Sequence, residues 1–469
     1  MPKSSVNLFR INLNPKTVNF LSTNPYNQQP LAQYALMNVQ QVNEILAISQ
    51  QAFDKWKRSS FTRRAHLLEK VADLLDEQIE ILSKLISLEM GKPLAESRSE
   101  IRKCASVCRF YAGKGEAFLA PEKIATEAED SGVYFEPTGC VFAIMPWNFP
   151  FWQVFRYAAP CLMAGNVCLL KHAPTVTGCA LKIEELLLAA GFDEGVFQTV
   201  IIDLDLVEPI IEASIISGVA FTGSEAGGAK VATLSAKHLK KVVLELGGSD
   251  AFIVLADADL EKAAQMGVLS RMVNSGQACN GAKRFIIERS VFEQFSKLFI
   301  AEVSKIRQGD PLDPAITMGP LSRLDLVANL ENQLVRTIAD GAQIAFRGPS
   351  NGCNISPIVL TGVRPGMAAF DEETFGPLAA LIIAEDASDA VRLANLSRYG
   401  LAASLWSADK EKVKAMVHEL EAGNVFVNAV VRSDSRLPFG GIKKSGYGRE
   451  LSKYGIHEFV NIKTFYIES

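Results

Sequence analysis

Two runs of short apolar segments, alternating with amphipathic stretches, predict an α/β protein built on two parallel sheets. Three observations carry this. In residues 40–118 apolar side chains recur every three or four positions, from Val42, Ile45, Leu46 and Ala52 to Leu67, Val71, Leu74 and Leu75. That period is helical, so this stretch reads as helices. Residues 141–145, 167–170, 200–202, 219–221 and 242–244 are short apolar runs, with helical stretches such as 176–190 and 226–236 between them. Strands alternating with helices of this length read as βαβ units in a parallel sheet. The alternation restarts at 251–255 and continues to 425–427, long enough for a second α/β domain. The segment 125–139 fits neither pattern. Its acidic start and the run Gly132-Val-Tyr-Phe-Glu136 predict a protruding strand pair, with the tail Thr464-Phe-Tyr-Ile467 as partner.

Composition narrows the function. The 469 residues are 48% hydrophobic and 21% charged, globular values that allow two to four domains. A formal charge of −4 and a pI near 5.9 leave no basic excess to neutralise a phosphate backbone, so no nucleic-acid partner is expected. The eight cysteines, at 104, 108, 140, 161, 168, 179, 279 and 353, form no CxxC pair. They suit a reducing compartment and predict neither a disulfide framework nor a metal site. The longest apolar stretch, 154–170, is interrupted by Arg156 and Asn166, so no membrane span is expected. Lys3, Arg10 and Lys16 precede the first acid, Glu44, but prolines 15, 25 and 30 break any amphipathic targeting helix. The expected location is cytoplasmic.

Four segments carry candidate chemistry. In Asn274-Ser-Gly-Gln-Ala-Cys279-Asn a cysteine sits in a Gly-containing loop between a helical stretch (260–273) and an apolar strand (285–287), as a nucleophile in a cleft would. A buried structural cysteine is the ordinary alternative. In Leu244-Glu245-Leu-Gly-Gly248 a carboxylate ends an apolar strand and could activate water, or be a solvated strand tip. In Pro146-Trp147-Asn148-Phe-Pro150 flanking prolines hold an amide suited to an oxyanion, though an Asn in a turn is common. In Phe221-Thr-Gly223-Ser224-Glu-Ala-Gly227-Gly228 glycines mark a strand-to-helix junction of the kind that binds phosphate. The last is not GxGxxG and is weak evidence alone.

Together these segments resemble the NAD(P)-dependent aldehyde dehydrogenase superfamily over essentially the whole chain. The motifs are PWNFP (146–150), LLKHAP (169–174), FTGSEAGG (221–228), LELGG (244–248), GQAC (276–279), EETFGP (372–377) and PFGGIKKSGYGRE (438–450). The spacings of 34 residues from Glu245 to Cys279 and 23 from Asn148 to Lys171 also match. The Lys-His-Ala-Pro run is similar to that of bacterial succinate semialdehyde dehydrogenases. The resemblance implies an α/β aldehyde dehydrogenase-like fold: two doubly wound parallel-sheet domains plus a β-strand oligomerisation arm. The dinucleotide-binding domain would comprise 1–124 and 140–247, the catalytic domain 248–432, and the arm with the C-terminal segment 125–139 and 433–469. A homodimer or homotetramer is implied.

The implied chemistry starts with Cys279 attacking an aldehyde, its oxyanion held by Asn148 and the Cys279 backbone N–H. Hydride leaves to NAD or NADP, and Glu245 activates the water that hydrolyses the thioester. The implied cofactor residues are Pro146, Trp147, Gly223, Gly228 and Leu246, Lys171 at the adenosine ribose, and Ser224 at the pyrophosphate. Glu373 would meet the nicotinamide ribose, with Phe375 beside it. Where many NAD-specific relatives carry a glutamate this chain has Pro174, which leaves NADP acceptable, with His172 a candidate partner of its 2′-phosphate. For a carboxylated aldehyde such as succinate semialdehyde, Arg156 is placed to receive the distal carboxylate, with Arg432 or Arg436 as substitutes. Glutarate semialdehyde, a neutral aliphatic aldehyde, and a cysteine hydrolase activity are the alternatives.

Overall fold

The computed structural model describes residues 19–468. Lys3, Arg10, Lys16 and Pro15, on which the targeting argument drew, lie outside the described residues. A two-stranded hairpin, Asn19–Thr23 with Pro30–Ala35, precedes four helices, Val39–Trp56, Phe61–Glu77, Ile79–Met90 and Leu94–Phe118. The first begins at a capping box, Asn38 accepting from the Gln41 amide and the Gln41 side chain bonding back to the Asn38 amide. The third stops at Gly91, which takes the left-handed conformation that a helix C-terminus favours.

Two larger sheets follow. In the first, strands run in the order Phe197–Thr199, Val167–His172, Cys140–Met145, Ile216–Thr222, Lys241–Glu245, all parallel, with Gly446–Tyr447 added antiparallel at the edge. By chain position the parallel strands read 3-2-1-4-5, the doubly wound order. The second sheet runs Gln343–Arg347, Ile358–Thr361, Leu378–Ala384, Ala282–Glu288, Asp250–Val254, Ala402–Trp406, Asn424–Val427. Only its first strand is antiparallel. The central strands are buried on both faces, hence their unbroken apolar runs. One sequence expectation shifts: the strand expected at 200–202 is Phe197–Thr199, and Val200 adds only one further bond, to Leu170 O. Asp130–Pro137 pairs antiparallel with Val460–Ile467 in a three-stranded sheet, as the aromatic run and tail predicted. Among the described residues no helix is long and apolar enough to cross a membrane.

Candidate active site

In the first sheet the strand order reverses between Cys140–Met145 and Ile216–Thr222. Chains leaving the carboxyl ends of two such neighbours diverge to opposite faces and open a crevice. Pro146, Trp147 and Asn148 follow one strand and Gly223 and Ser224 the other, while Lys171 and Glu245 end the flanking strands. Loops of the second sheet face this edge. A cavity of about 370 Å³ joins Pro146, Trp147, Asn148, Gly223, Ser224, Leu246, Cys279, Glu373 and Phe375 of the sequence-predicted set.

The Cys279 loop is shaped by backbone conformation and by two buried cations. Asn274 (φ 51°), Ser275 (φ 56°) and Gly276 (φ 77°) all turn left-handed. A Cβ on Gly276 would fall 2.2 Å from Gly376 O, so only glycine lets the two loops touch. Arg271 donates to Gly276 O (2.5 Å), Gly376 O (2.7 Å) and Ala282 O (3.0 Å), and Lys283 to Ala278 O (2.9 Å) and Cys279 O (2.5 Å). Sequence reasoning missed both. The available signal is Lys283-Arg284 inside an otherwise apolar strand, where charge needs a structural reason. Burial pushes the Cys279 thiol up to about 12, with Arg156 and Lys283 opposing.

The Asn148 loop is stitched to the Cys279 loop. Asn148 Nδ2 donates to Gln277 O (3.0 Å), and Asn274 Nδ2 to Asn148 O (2.7 Å). Beneath them, the helix Leu94–Phe118 supplies two carboxylates. Glu100 accepts from the amides of Phe151 (2.8 Å) and Trp152 (3.0 Å), and Glu96 from that of Asn274 (2.8 Å). Lys92 pairs with Glu100 and stands 3.6 Å from the Phe149 ring centroid. Beside them, His172 Nε2 bonds Pro150 O (2.8 Å) and Nδ1 meets Ala173 N (2.9 Å). Nδ1 also lies 3.2 Å from Met145 O, so the two ring nitrogens face one amide donor and two carbonyl acceptors. Burial pushes this imidazole down to about 4, so it is neutral near pH 7. His172 is therefore a brace inside the protein; buried and with both nitrogens engaged, it does not reach out to a 2′-phosphate.

Glu245 ends its strand 2% exposed. Burial pushes its carboxyl up to about 8; Arg156 opposes the shift and Glu450 adds to it. Neither oxygen has a hydrogen-bond donor, the state of an acceptor pair suited to hold a water. Arg156 does not stand free, as the sequence reading expected. Its guanidinium contacts Glu450, lies 3.8 Å from Glu245, and packs over Phe439. One positive charge is thus shared by two buried carboxyls. Arg432 is exposed, and Arg436 is exposed and paired with Asp434 at 2.7 Å. Neither lines the cavity.

The remaining predicted residues form a cradle. Ser224 caps the helix Glu225–Lys237 by accepting from Gly227 N (3.2 Å). A Cβ on Gly228 would fall 2.4 Å from the Leu246 side chain, so glycine allows the helix to pack there. Lys171 is buried, its ammonium pushed down by burial, with Asp203 opposing. Pro174 opens the short 3-10 turn Pro174–Val176. Glu373 accepts from Gly248 N (3.0 Å), and Phe375 meets Trp147 edge-on, centroids 5.8 Å apart.

The sequence model described as the aldehyde dehydrogenase family matches residues 14–465. The chain belongs to this family. It is similar to a probable succinate-semialdehyde dehydrogenase [NADP(+)] of Synechocystis sp., 43% identical over 95% of this chain and 98% of the relative. It is also similar to the succinate semialdehyde dehydrogenase [NAD(P)+] Sad of Escherichia coli, 42% identical over 95% and 97%. Among solved structures, succinic semialdehyde dehydrogenase from Streptococcus pyogenes with NADP+ superposes with a TM-score of 0.94 at 34% identity, covering 96% of this chain and 100% of that one. As a family member the chain is an α/β, NAD(P)-dependent aldehyde dehydrogenase that works through a cysteine.

Proposed function

We propose that this dehydrogenase oxidises succinate semialdehyde to succinate with NADP or NAD. The observation that supports the chemistry is the cavity shared by Cys279 and Asn148, whose loops are hydrogen-bonded to each other, with the buried Glu245 carboxyl near enough to act on the Cys279 thiol. The Cys279 thiolate attacks the carbonyl carbon, and the oxyanion is met by the Asn148 amide and the Cys279 backbone N–H. The residues fit a dinucleotide: the Ser224-capped helix end offers backbone amides to phosphate, Gly228 keeps the cradle open, and Glu373 presents a carboxylate to a ribose. Lys171 would hold the adenosine end and Pro146, Trp147 and Phe375 the nicotinamide end. When bound, the nicotinamide accepts the hydride that converts the Cys279 adduct to a thioester. Glu245, once deprotonated, takes a proton from water, which hydrolyses that thioester and frees the thiol.

The substrate reading is supported by the names of the relatives. We read residues 248–432 as the catalytic domain, and 1–124 with 140–247 as the cofactor domain. The exposed outer strand Val460–Ile467, with 125–139, is read as the surface on which a homodimer or homotetramer is built. The free thiols, almost all buried, suit a cytoplasmic location. Rates of NADH and NADPH formation with succinate semialdehyde, glutarate semialdehyde and butanal test the reading. The four-carbon semialdehyde is expected to give the highest kcat/KM. A higher value for either other aldehyde overturns the substrate assignment and leaves the dehydrogenase chemistry standing.

A further inference from the structure

We infer that Arg323 binds the diphosphate of the dinucleotide and gives up Asp325 to do so. Arg323 lies in none of the sequence motifs above, yet it lines the cavity of about 370 Å³ with Cys279, Ser224 and Glu373. Its guanidinium carbon stands 5.6 Å from the Trp147 ring centroid, and Trp147 in turn meets Phe375 edge-on. The chain is tied down just before it, where Ser322 donates its amide to the Oε1 of Gln277 (2.8 Å), two residues before Cys279. Arg323 itself immediately precedes the helix Leu324–Ala339, and its side chain makes no cap. Its backbone is thus anchored beside the Cys279 loop, while its side chain, 35% exposed, reaches the cavity.

Of the described residues that line this cavity, Arg323 is the one cation. The helix start at Ser224 offers a phosphate neutral N–H groups only, and its first turn carries Glu225. Arg398 (3.1 Å) and Lys444 (3.8 Å) are engaged by Glu225 and do not line the cavity. Lys171 and Pro174, read as the adenosine end, stand outside the lining too, so the phosphates that would enter here are those of the diphosphate. Arg323 donates to Asp325 from Nε (2.8 Å) and Nη2 (2.9 Å), but the Asp325 side chain is 60% exposed. An ion pair this open to water is worth little. Nor does Asp325 depend on it alone: Arg323 first, then the amides at the start of its helix, hold its carboxyl below the usual value, with burial opposing. The guanidinium can therefore exchange one exposed carboxylate for a doubly charged diphosphate held between protein walls, in a charge-assisted, two-pronged contact. Asp325, competing for the same guanidinium, restrains cofactor affinity.

The inference rests on the reading of the cradle as a dinucleotide site, and the experiment tells the two apart. ADP-ribose, which carries the diphosphate and no nicotinamide, is titrated calorimetrically into the wild type, Arg323→Gln, Asp325→Asn and Gly228→Val. Arg323→Gln is expected to weaken binding about 5- to 100-fold. Asp325→Asn is expected to tighten it about 2- to 5-fold, because the guanidinium is then free. The opposite signs are what a bracing role would not produce, since a pair that only steadies the helix start weakens binding when either partner is changed. Should Arg323→Gln not fold, Arg323→Lys keeps the charge, loses the fork, and is expected to weaken binding about 2- to 10-fold. Wild-type affinity in the Arg323 variants, or an Asp325→Asn variant that does not bind more tightly, overturns this inference alone. Gly228→Val drives a side chain into Leu246 and is expected to block binding. A wild type that does not bind ADP-ribose, or a Gly228→Val variant that binds it as well as the wild type, overturns the cradle reading and this inference with it.

Discussion

At Cys279 and Glu245 burial and charge pull in opposite directions, and burial prevails. Both groups are pushed up, so both are neutral near pH 7. A carboxyl with a raised pKa is a base only once deprotonated, so that form is present above about pH 8 and lost as pH falls. Steady-state oxidation is therefore expected to rise with pH through this range. Glu245→Gln should remove the base, reduce one cofactor per site and then stall as thioester, lowering steady-state turnover about 10²- to 10⁴-fold. Rapid-mixing absorbance separates the first turnover from the rest, and an undiminished steady state would assign the base elsewhere. Cys279→Ala is expected to abolish oxidation while cofactor affinity, read by fluorescence titration, stays within a few-fold. Turnover above about a hundredth of wild type would remove Cys279 from its role.

At the scale of elements, the oxyanion loop is fixed by what lies beneath and beside it rather than by its own prolines alone. Glu100 takes two of its amides, Asn274 takes its carbonyl, and His172 ties Pro150 to the end of the neighbouring strand. His172→Ala should loosen Asn148 without touching the cofactor cradle. Loss of one buried hydrogen bond, about 0.5–1.5 kcal/mol, corresponds to a drop in kcat of about 2- to 12-fold. Cofactor affinity should remain within a few-fold, and His172→Gln, whose amide can donate to Pro150 O, should recover much of the rate. A variant that loses cofactor binding and keeps kcat would return His172 to the cofactor site.

At the scale of the whole molecule, the carboxyl edge of one doubly wound sheet faces loops from a second, and the reaction is placed between them. The three-stranded sheet carries Tyr134, Ile462, Tyr466 and Ile467 exposed, with Tyr134 stacked on Phe465. An outer strand with unpaired backbone groups and apolar side chains is a surface that natural proteins cover. Sedimentation is expected to show a dimer or larger assembly, and Ile462→Asp to shift it toward smaller species. A fully active monomer at every concentration would contradict the proposed assembly.

The alternation of strands and helices and the pairing of the aromatic run with the tail were legible in the sequence by itself, which also marked Cys279, Glu245 and Asn148 as candidates. These are local signals, because period, glycine placement and motif spacing are properties of consecutive residues. Only the tertiary structure decided which charges are free. Arg156 reads from sequence as an available cation one helix face beyond Asn148, yet Glu450, 294 residues later, occupies it. His172 reads as a phosphate partner, yet its ring is spent on backbone carried by the neighbouring strand. Arg271 and Lys283 belong to no motif, yet they hold the carbonyls that shape the Cys279 loop. The strength of a charge depends on its neighbours and their dielectric, and in a doubly wound fold those neighbours come from segments hundreds of residues apart.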